Sequence, residues 1–425
     1  MPARLLLFFL GVVLTTSSTA QTTAIICKQL IDGRSDTPVP NAVVLIENDR
    51  IKAVGGRDII PKNATIIDLG NYTVLPGLID AHVHPLIDGD DYQVNHMKRT
   101  SAQKALDGLK KVQDLLDAGW TTLRIAGDAD VGYAHLEIRD AINKGLFVGP
   151  RMFGAGHYIS VTGGGGDINF MSYEQKIIAD GLVADGPDAM RKAVREEVKN
   201  GSDWIKILVT GAFMTVGDNP QDVHMGPEEL QAIMDEANRR HRPVMAHAHA
   251  TDGIKIAVKV GVRSIEHGSY LDEEGIDLMI KHGTYLVPTL TIGLFFEEKY
   301  ANSEALKKAV ELSRKSKEES TQSRMLSLAI KKGVKVVVGT DYVGFPADFS
   351  AREFPELVKL GMTPMQSIKA GTSLNAELLM NNDIGSITTG KFADIIAVSG
   401  DPLKDITELQ RVKFVMIGGK VVKKN

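Results

Sequence analysis

Between residues 77 and 341 the chain repeats one pattern: a short apolar run, a longer stretch of helical character, then another run. Eight runs can be counted, at 77–82, 121–127, 150–156, 204–211, 243–249, 264–268, 285–290 and 334–341. Each has the length and apolar content of a buried strand. The stretches between them, such as Gly226–His241 and Ser303–Lys332, read as helices. Strands alternating with helices imply a parallel sheet, and eight such units predict an α/β fold, a (β/α)8 TIM-type barrel over residues 76–375.

The polar residues of these runs are unusual in type and place. Residues 77–85 read Gly-Leu-Ile-Asp-Ala-His-Val-His-Pro. Residues i and i+2 of a strand share a face, so His82 and His84 present two imidazoles side by side, which suits a divalent metal. Four more candidate ligands stand in similar settings: Lys206 in Asp-Trp-Ile-Lys-Ile-Leu-Val, His247 in Pro-Val-Met-Ala-His-Ala-His, His267 in Ser-Ile-Glu-His-Gly, and Asp341 closing Val-Lys-Val-Val-Val-Gly-Thr-Asp. A (β/α)8 barrel keeps its active site at the C-terminal ends of its strands.

These pieces, in this order, resemble the amidohydrolase superfamily. The matching segments are Leu75–His84, Gly119–Arg124, Ile205-Lys206, His247–His249, Ile265–Gly268, Gly339–Asp341 and the C-terminal Gly385–Ile395. Within the superfamily the chain is most similar to the imidazolonepropionase-like branch, with its Xaa-Pro dipeptidases, metallocarboxypeptidases and ochratoxin-hydrolysing amidases. The resemblance implies a small β-sandwich built from both chain ends, residues 21–75 and 376–425, beside the barrel. It also implies two divalent metal ions, expected to be Zn2+. His82, His84 and Asp341 would hold one and His247 and His267 the other, with Lys206 N6-carboxylated and bridging both. Two such cations activate water and polarise a carbonyl. A lysine in an apolar strand is pushed toward its neutral, reactive amine by desolvation.

Further roles follow from position. Asp341 is expected to be catalytic as well, taking a proton from the attacking water and passing it to the leaving amine. His249, two residues past His247, is read as a hydrogen-bond donor to the carbonyl oxygen or the oxyanion. His157 and His224 are candidate substrate contacts. His96, His135, His241 and His282 read as solvated, and Glu266, preceding His267, as packed under the helices. Relatives often carry a histidine where Gly165 stands in Thr162-Gly-Gly-Gly-Gly-Asp167, and some dipeptidases a tyrosine where Ala248 stands. The four glycines are expected to form a flexible loop. Phe213, Met214, Met225, Leu290 and Phe345 follow strand ends and could line an apolar pocket.

The remainder sets the context. Arg4, then the apolar Leu5–Leu14, then small residues to Ala20 make residues 1–20 a signal peptide, so a secreted or periplasmic protein is expected. That run is too short to span a bilayer, and no membrane span is expected in the mature chain. The formal net charge is −4, and no basic patch indicates nucleic acid. The lone Cys27 cannot form an internal disulfide and reads as a small buried hydrophobe. The expected function is binuclear metal-dependent hydrolysis of an amide or dipeptide, at a bond to a hydrophobic or aromatic amino acid, by a homo-oligomer. A lactonase or cyclic-amide hydrolase, or a non-catalytic periplasmic metal-binding protein, are the alternatives.

Overall fold

The structure is a computed structural model and describes residues 22–89, 91–300 and 322–424; the expected signal peptide lies outside the described residues. The first strands are β1 (Thr22–Leu30), β2 (Val39–Pro40), β3 (Val43–Glu47), β4 (Arg50–Gly55) and β5 (Thr65–Pro76). Asn48, at φ 57°, turns β3 into β4, with Glu47 paired to Arg50. Asparagine tolerates this left-handed conformation because its short amide bonds locally.

The chain then passes through Gly77 into β6 (Leu78–Val83). A Cβ on Gly77 would lie 2.1 Å from Thr121 Oγ1, so only glycine lets this strand start against its neighbour. Next come β7 (Trp120–Ala126), β8 (Arg151–Ala155), β9 (Tyr158–Ser160), β10 (Leu182–Val183), β11 (Ile205–Leu208), β12 (Val244–Ala248), β13 (Ser264–His267) and β14 (Tyr285–Val287). Strands β6-β7-β8 and β10-β9-β11-β12-β13-β14 form two parallel sheets. Helices lie between them, among them 101–117, 186–199, 227–239, 251–260 and 273–282. Their apolar faces, such as Val112, Leu115, Val194 and Ile233, pack against the outer side chains of the strands in one core. This is a TIM-barrel type α/β fold.

The expected eighth strand at 334–341 is not a continuous ladder. It makes separate bonds instead: Val337 N to Leu286 O (2.9 Å), Ala81 N to Val338 O (3.1 Å) and Asp341 N to His82 O (2.8 Å). The chain at Gly339 runs so close to β6 that a Cβ there would stand 2.9 Å from His82 Cβ, and Asp341 turns away with φ 54°. Close approach and a left-handed residue break regular pairing.

The C-terminal strands β15 (Ile395–Val398), β16 (Phe414–Ile417) and β17 (Lys420–Lys424) return to the N-terminal ones. The pairing is one continuous path, β17-β16-β15-β5-β1-β3-β4 with β2 on β1, rather than two separately paired sheets. Ile25, Val44, Val74, Ile395, Phe414 and Met416 form a core on one of its faces, and Cys27 is buried among them. Among the described residues no helix is long and apolar enough to cross a membrane.

Candidate metal centre and active site

Six of the seven residues singled out as ligands or catalytic groups fall into two clusters. The ligand atoms of His82, His84 and Asp341 lie within 4.8 Å of one another, and so do those of His247, His249 and His267. The two clusters adjoin, with 5.0 Å between the ring centres of His82 and His267.

Each histidine has one ring nitrogen occupied by a fixed partner, which leaves the other for the cluster. His82 Nδ1 meets Glu266 Oε2 at 2.6 Å, and His84 Nδ1 donates to the Gly127 carbonyl at 2.5 Å. Their Nε2 atoms are 3.2 Å apart, at 3.5 Å and 3.3 Å from Asp341 Oδ1. In the second cluster His247 Nε2 donates to Gly211 O (3.1 Å), His267 Nδ1 meets Thr289 Oγ1 (2.7 Å) and His249 Nδ1 meets Ser269 Oγ (2.8 Å). Anchoring of this kind sets tautomer and ring direction in metal-binding histidines. For His249 the hydroxyl leaves two options. If the ring donates to Ser269, Nε2 carries a lone pair and can bind a cation; if Ser269 donates, Nε2–H can donate to a substrate oxygen.

The charges suit cations. Burial pushes His82 down to about 4 and His249 to about 3, and holds His247 and His267 well below the usual histidine range. All four rings are therefore neutral near pH 7 and able to offer lone pairs. Burial raises the Asp341 carboxyl, but the hydrogen bond from His84 and the nearby His82 and Lys206 outweigh this and hold it at about 2. Lys206, on β11, is 1% exposed. Burial lowers its amine to about 8 against the pull of Glu266 and Asp341. It acts electrostatically on members of both clusters. Neutral imidazoles, a carboxylate and a buried amine form a donor set that fits two divalent ions.

Glu266 is not packed under the helices. It is fully buried on the interior side, bound to His82 and to Arg124. The cause is His267, whose φ of 72° brings its ring inward although the residue before it already points there. His96 and His135 are buried, not solvated: His96 bridges Lys104 and the carbonyls of Ala129 and Ile178, and His135 donates to Ala155 O. Helices whose polar residues face a buried polar layer mislead a surface reading. His241 and His282 are exposed, as expected.

His157 and His224 are not members of either cluster. His157 pairs with the buried Glu197 (2.9 Å), which also accepts from Tyr133, Ser202 and the Gly156 and His157 amides. Burial lowers the His157 pKa, but Glu197 more than offsets this and raises it. His224 Nε2 is 3.1 Å from Asp218 Oδ1. Three of the four glycines are packed, and only Gly163 is exposed. Gly164, Gly165 and Gly166 are buried, and a Cβ on Gly165 would already stand 3.0 Å from Leu208 Cδ1 and 3.2 Å from Ala212 Cβ. Of the apolar residues after strand ends, Phe213 sets its ring 4.7 Å from His249, whereas Met225 and Phe345 belong to the core.

Residues 73–422 match the model of the Amidohydrolase family. The ochratoxinase of Aspergillus niger is 33% identical over 438 residues, spanning 97% of this chain and 88% of its own length. A crystal structure of that ochratoxinase superposes with a TM-score of 0.82, and a Xaa-Pro dipeptidase with bound methionine superposes at 0.87 with 36% identity. The latter likeness covers 95% of this chain and all of the dipeptidase. The imidazolonepropionase of Cutibacterium acnes is 25% identical over 385 residues, covering 85% of this chain and 84% of its own.

Proposed function

Because the chain belongs to the amidohydrolase family and is a metal-dependent hydrolase of carbon–nitrogen bonds, we propose that it cleaves amide or peptide bonds to hydrophobic or aromatic amino acids. A carboxypeptidase or an ochratoxin-type amidase activity fits this description. The observation that carries the reading is the meeting of the two clusters, His82/His84/Asp341 and His247/His249/His267, beside one buried lysine. In this reading His82, His84, Asp341, His247 and His267 would hold two divalent ions, most simply Zn2+, and Lys206, carboxylated, would supply a further anionic ligand. The ions would supply a polarised carbonyl and water of lowered pKa.

The protein's own groups do the rest. Asp341 accepts the proton of the attacking water and returns one to the leaving amine. His249 donates to the carbonyl oxygen as charge builds on it. The ring of Phe213 beside His249 offers an apolar wall to a side chain of the substrate. The apolar leader at residues 1–20 carries the further proposal of export.

The test combines metal analysis with a panel of N-acyl amino acids, dipeptides, N-acyl phenylalanine amides and simple lactones. The reading expects two divalent ions per chain, activity abolished by chelation, and a preference for amides of hydrophobic or aromatic amino acids. Full activity without metal would overturn it, and turnover of lactones alone would replace the amide assignment.

A further inference from the structure

Below the two clusters lies a closed charged network that the chemistry above does not use. Arg124 on β7 and Glu266 on β13 are both fully buried. Arg124 Nη2 is 2.8 Å from each oxygen of Glu266. Its Nε donates to Ala81 O (2.5 Å), its Nη1 to Ser264 Oγ (3.0 Å), and its guanidinium stands 4.8 Å from the Trp204 ring centre. Ser264 Oγ donates in turn to Glu266 Oε1 (2.5 Å), and His82 Nδ1 stands 2.6 Å from Oε2.

We infer that Glu266, neutralised by Arg124, is a positioning residue that fixes the tautomer and aim of His82 and so sets how tightly the cation at His82, His84 and Asp341 is held. The inference rests on the reading of His82 as a metal ligand. An ionised carboxylate only accepts hydrogen bonds, so the proton of a neutral His82 must sit on Nδ1. Nε2 then carries the lone pair, directed toward His84 Nε2 and Asp341 Oδ1. Glu266 itself is closed to substrate. It is fully buried, and His82, Arg124 and Ser264 take up its acceptor sites. Arg124 cancels its charge, so the site gains an orienting acceptor without added negative charge. An amide at 266 would offer an NH2 group as well as an oxygen. Whichever way it turned, either Arg124 would face a donor or His82 would be free to adopt the Nε2–H tautomer.

The test uses Co2+ as the probe, titrated into metal-free full-length protein against a chromophoric chelator, with the visible absorption recorded. Glu266→Gln should lose about 10–100-fold in affinity for one of two bound ions, keep the other, and lower kcat more than it changes KM. Glu266→Asp should restore part of the affinity. The double variant Glu266→Gln/Arg124→Met leaves no buried charge unpaired, so it separates folding from positioning and should show the same selective weakening. In the wild type, 15N imidazole spectra of the loaded protein should find the His82 proton on Nδ1. Wild-type affinity for both ions in a folded variant, or an Nε2–H tautomer, would overturn the inference while leaving the metal reading intact. Failure of the wild type to bind two ions would overturn both.

Discussion

Glu266 and His267 are consecutive in the chain, yet both side chains enter the same interior. The Glu266 carboxylate is 2.6 Å from His82 Nδ1, and the His267 ring centre is 5.0 Å from that of His82. Regular strand geometry sends neighbours to opposite faces, and the φ of 72° at His267 is what defeats it. A non-glycine residue held there costs of order 1–3 kcal/mol, and such strain persists where surrounding structure enforces it.

Lys206 offers the most direct test of the carboxylated bridge. Under the proposed reading Lys206→Ala should lose activity and bind less metal, because the variant cannot form the proposed carbamate. Formate, acetate or propionate, added to the variant, should restore part of both by supplying a carboxylate. Metal content and rate unchanged in Lys206→Ala would make the lysine a structural residue.

Asp341→Asn separates proton transfer from binding. Asparagine keeps the shape but cannot take up a proton, so kcat should fall about 10²–10⁴-fold while KM moves little. Metal occupancy must be measured alongside, since Asp341 Oδ1 stands within 3.5 Å of both His82 and His84 nitrogens.

His249 can be a ligand or a donor, and the Ser269 hydroxyl permits either. As a donor to the oxyanion, its loss in His249→Ala should cost about 10²–10³-fold in kcat with both ions retained. Loss of one ion instead would assign His249 to the second cation, with His247 and His267.

The His157–Glu197 pair predicts a pH-dependent stability. Burial raises the pKa of Glu197, but His157 and Ser202 outweigh it and leave it below its ordinary 4.5. That contribution is therefore present above 4.5 and lost as pH falls through the depressed value. His157 is raised above 6.5, so its contribution is present below 6.5 and lost as pH rises through the raised value. Urea denaturation of wild type and Glu197→Gln should differ most between these limits. Breaking one partner of a buried pair costs about 3–5 kcal/mol, and the gap should narrow toward both acid and alkaline pH. A gap that is constant with pH would show that the pair is not ionised.

Legibility in the sequence followed regularity of backbone. His82, His84 and His247 were readable because period-two alternation holds through β6 and β12, and each run ends in its polar residue. Glu266 was not, since the alternation that placed it outside fails one residue later. Arg124 had a signal in plain view. A guanidinium in the apolar run Thr121–Ala126 must find buried acceptors, and Ala81, Ser264 and Glu266 supply them. Those partners lie on other strands and could not be named from spacing. Pairing at 334–341 was lost for a similar reason, the close passage of Gly339 past His82.

The order of strands around β5 has a consequence for the protein's birth. β5 is flanked by β1 and by β15, whose Ile396 and Ala397 pair with Leu75 and Val74. Asp341 precedes Ile395 by 54 positions (395 − 341), so a growing polypeptide holds every barrel residue before it can shield that side of β5. Until then a bare edge carrying Val74 and Leu75, both fully buried once folding is complete, is open to other chains. Strands β15 to β17 thus act as a seal added only after the barrel segments have been made, and fragments ending short of them should accumulate as aggregates rather than as a free barrel.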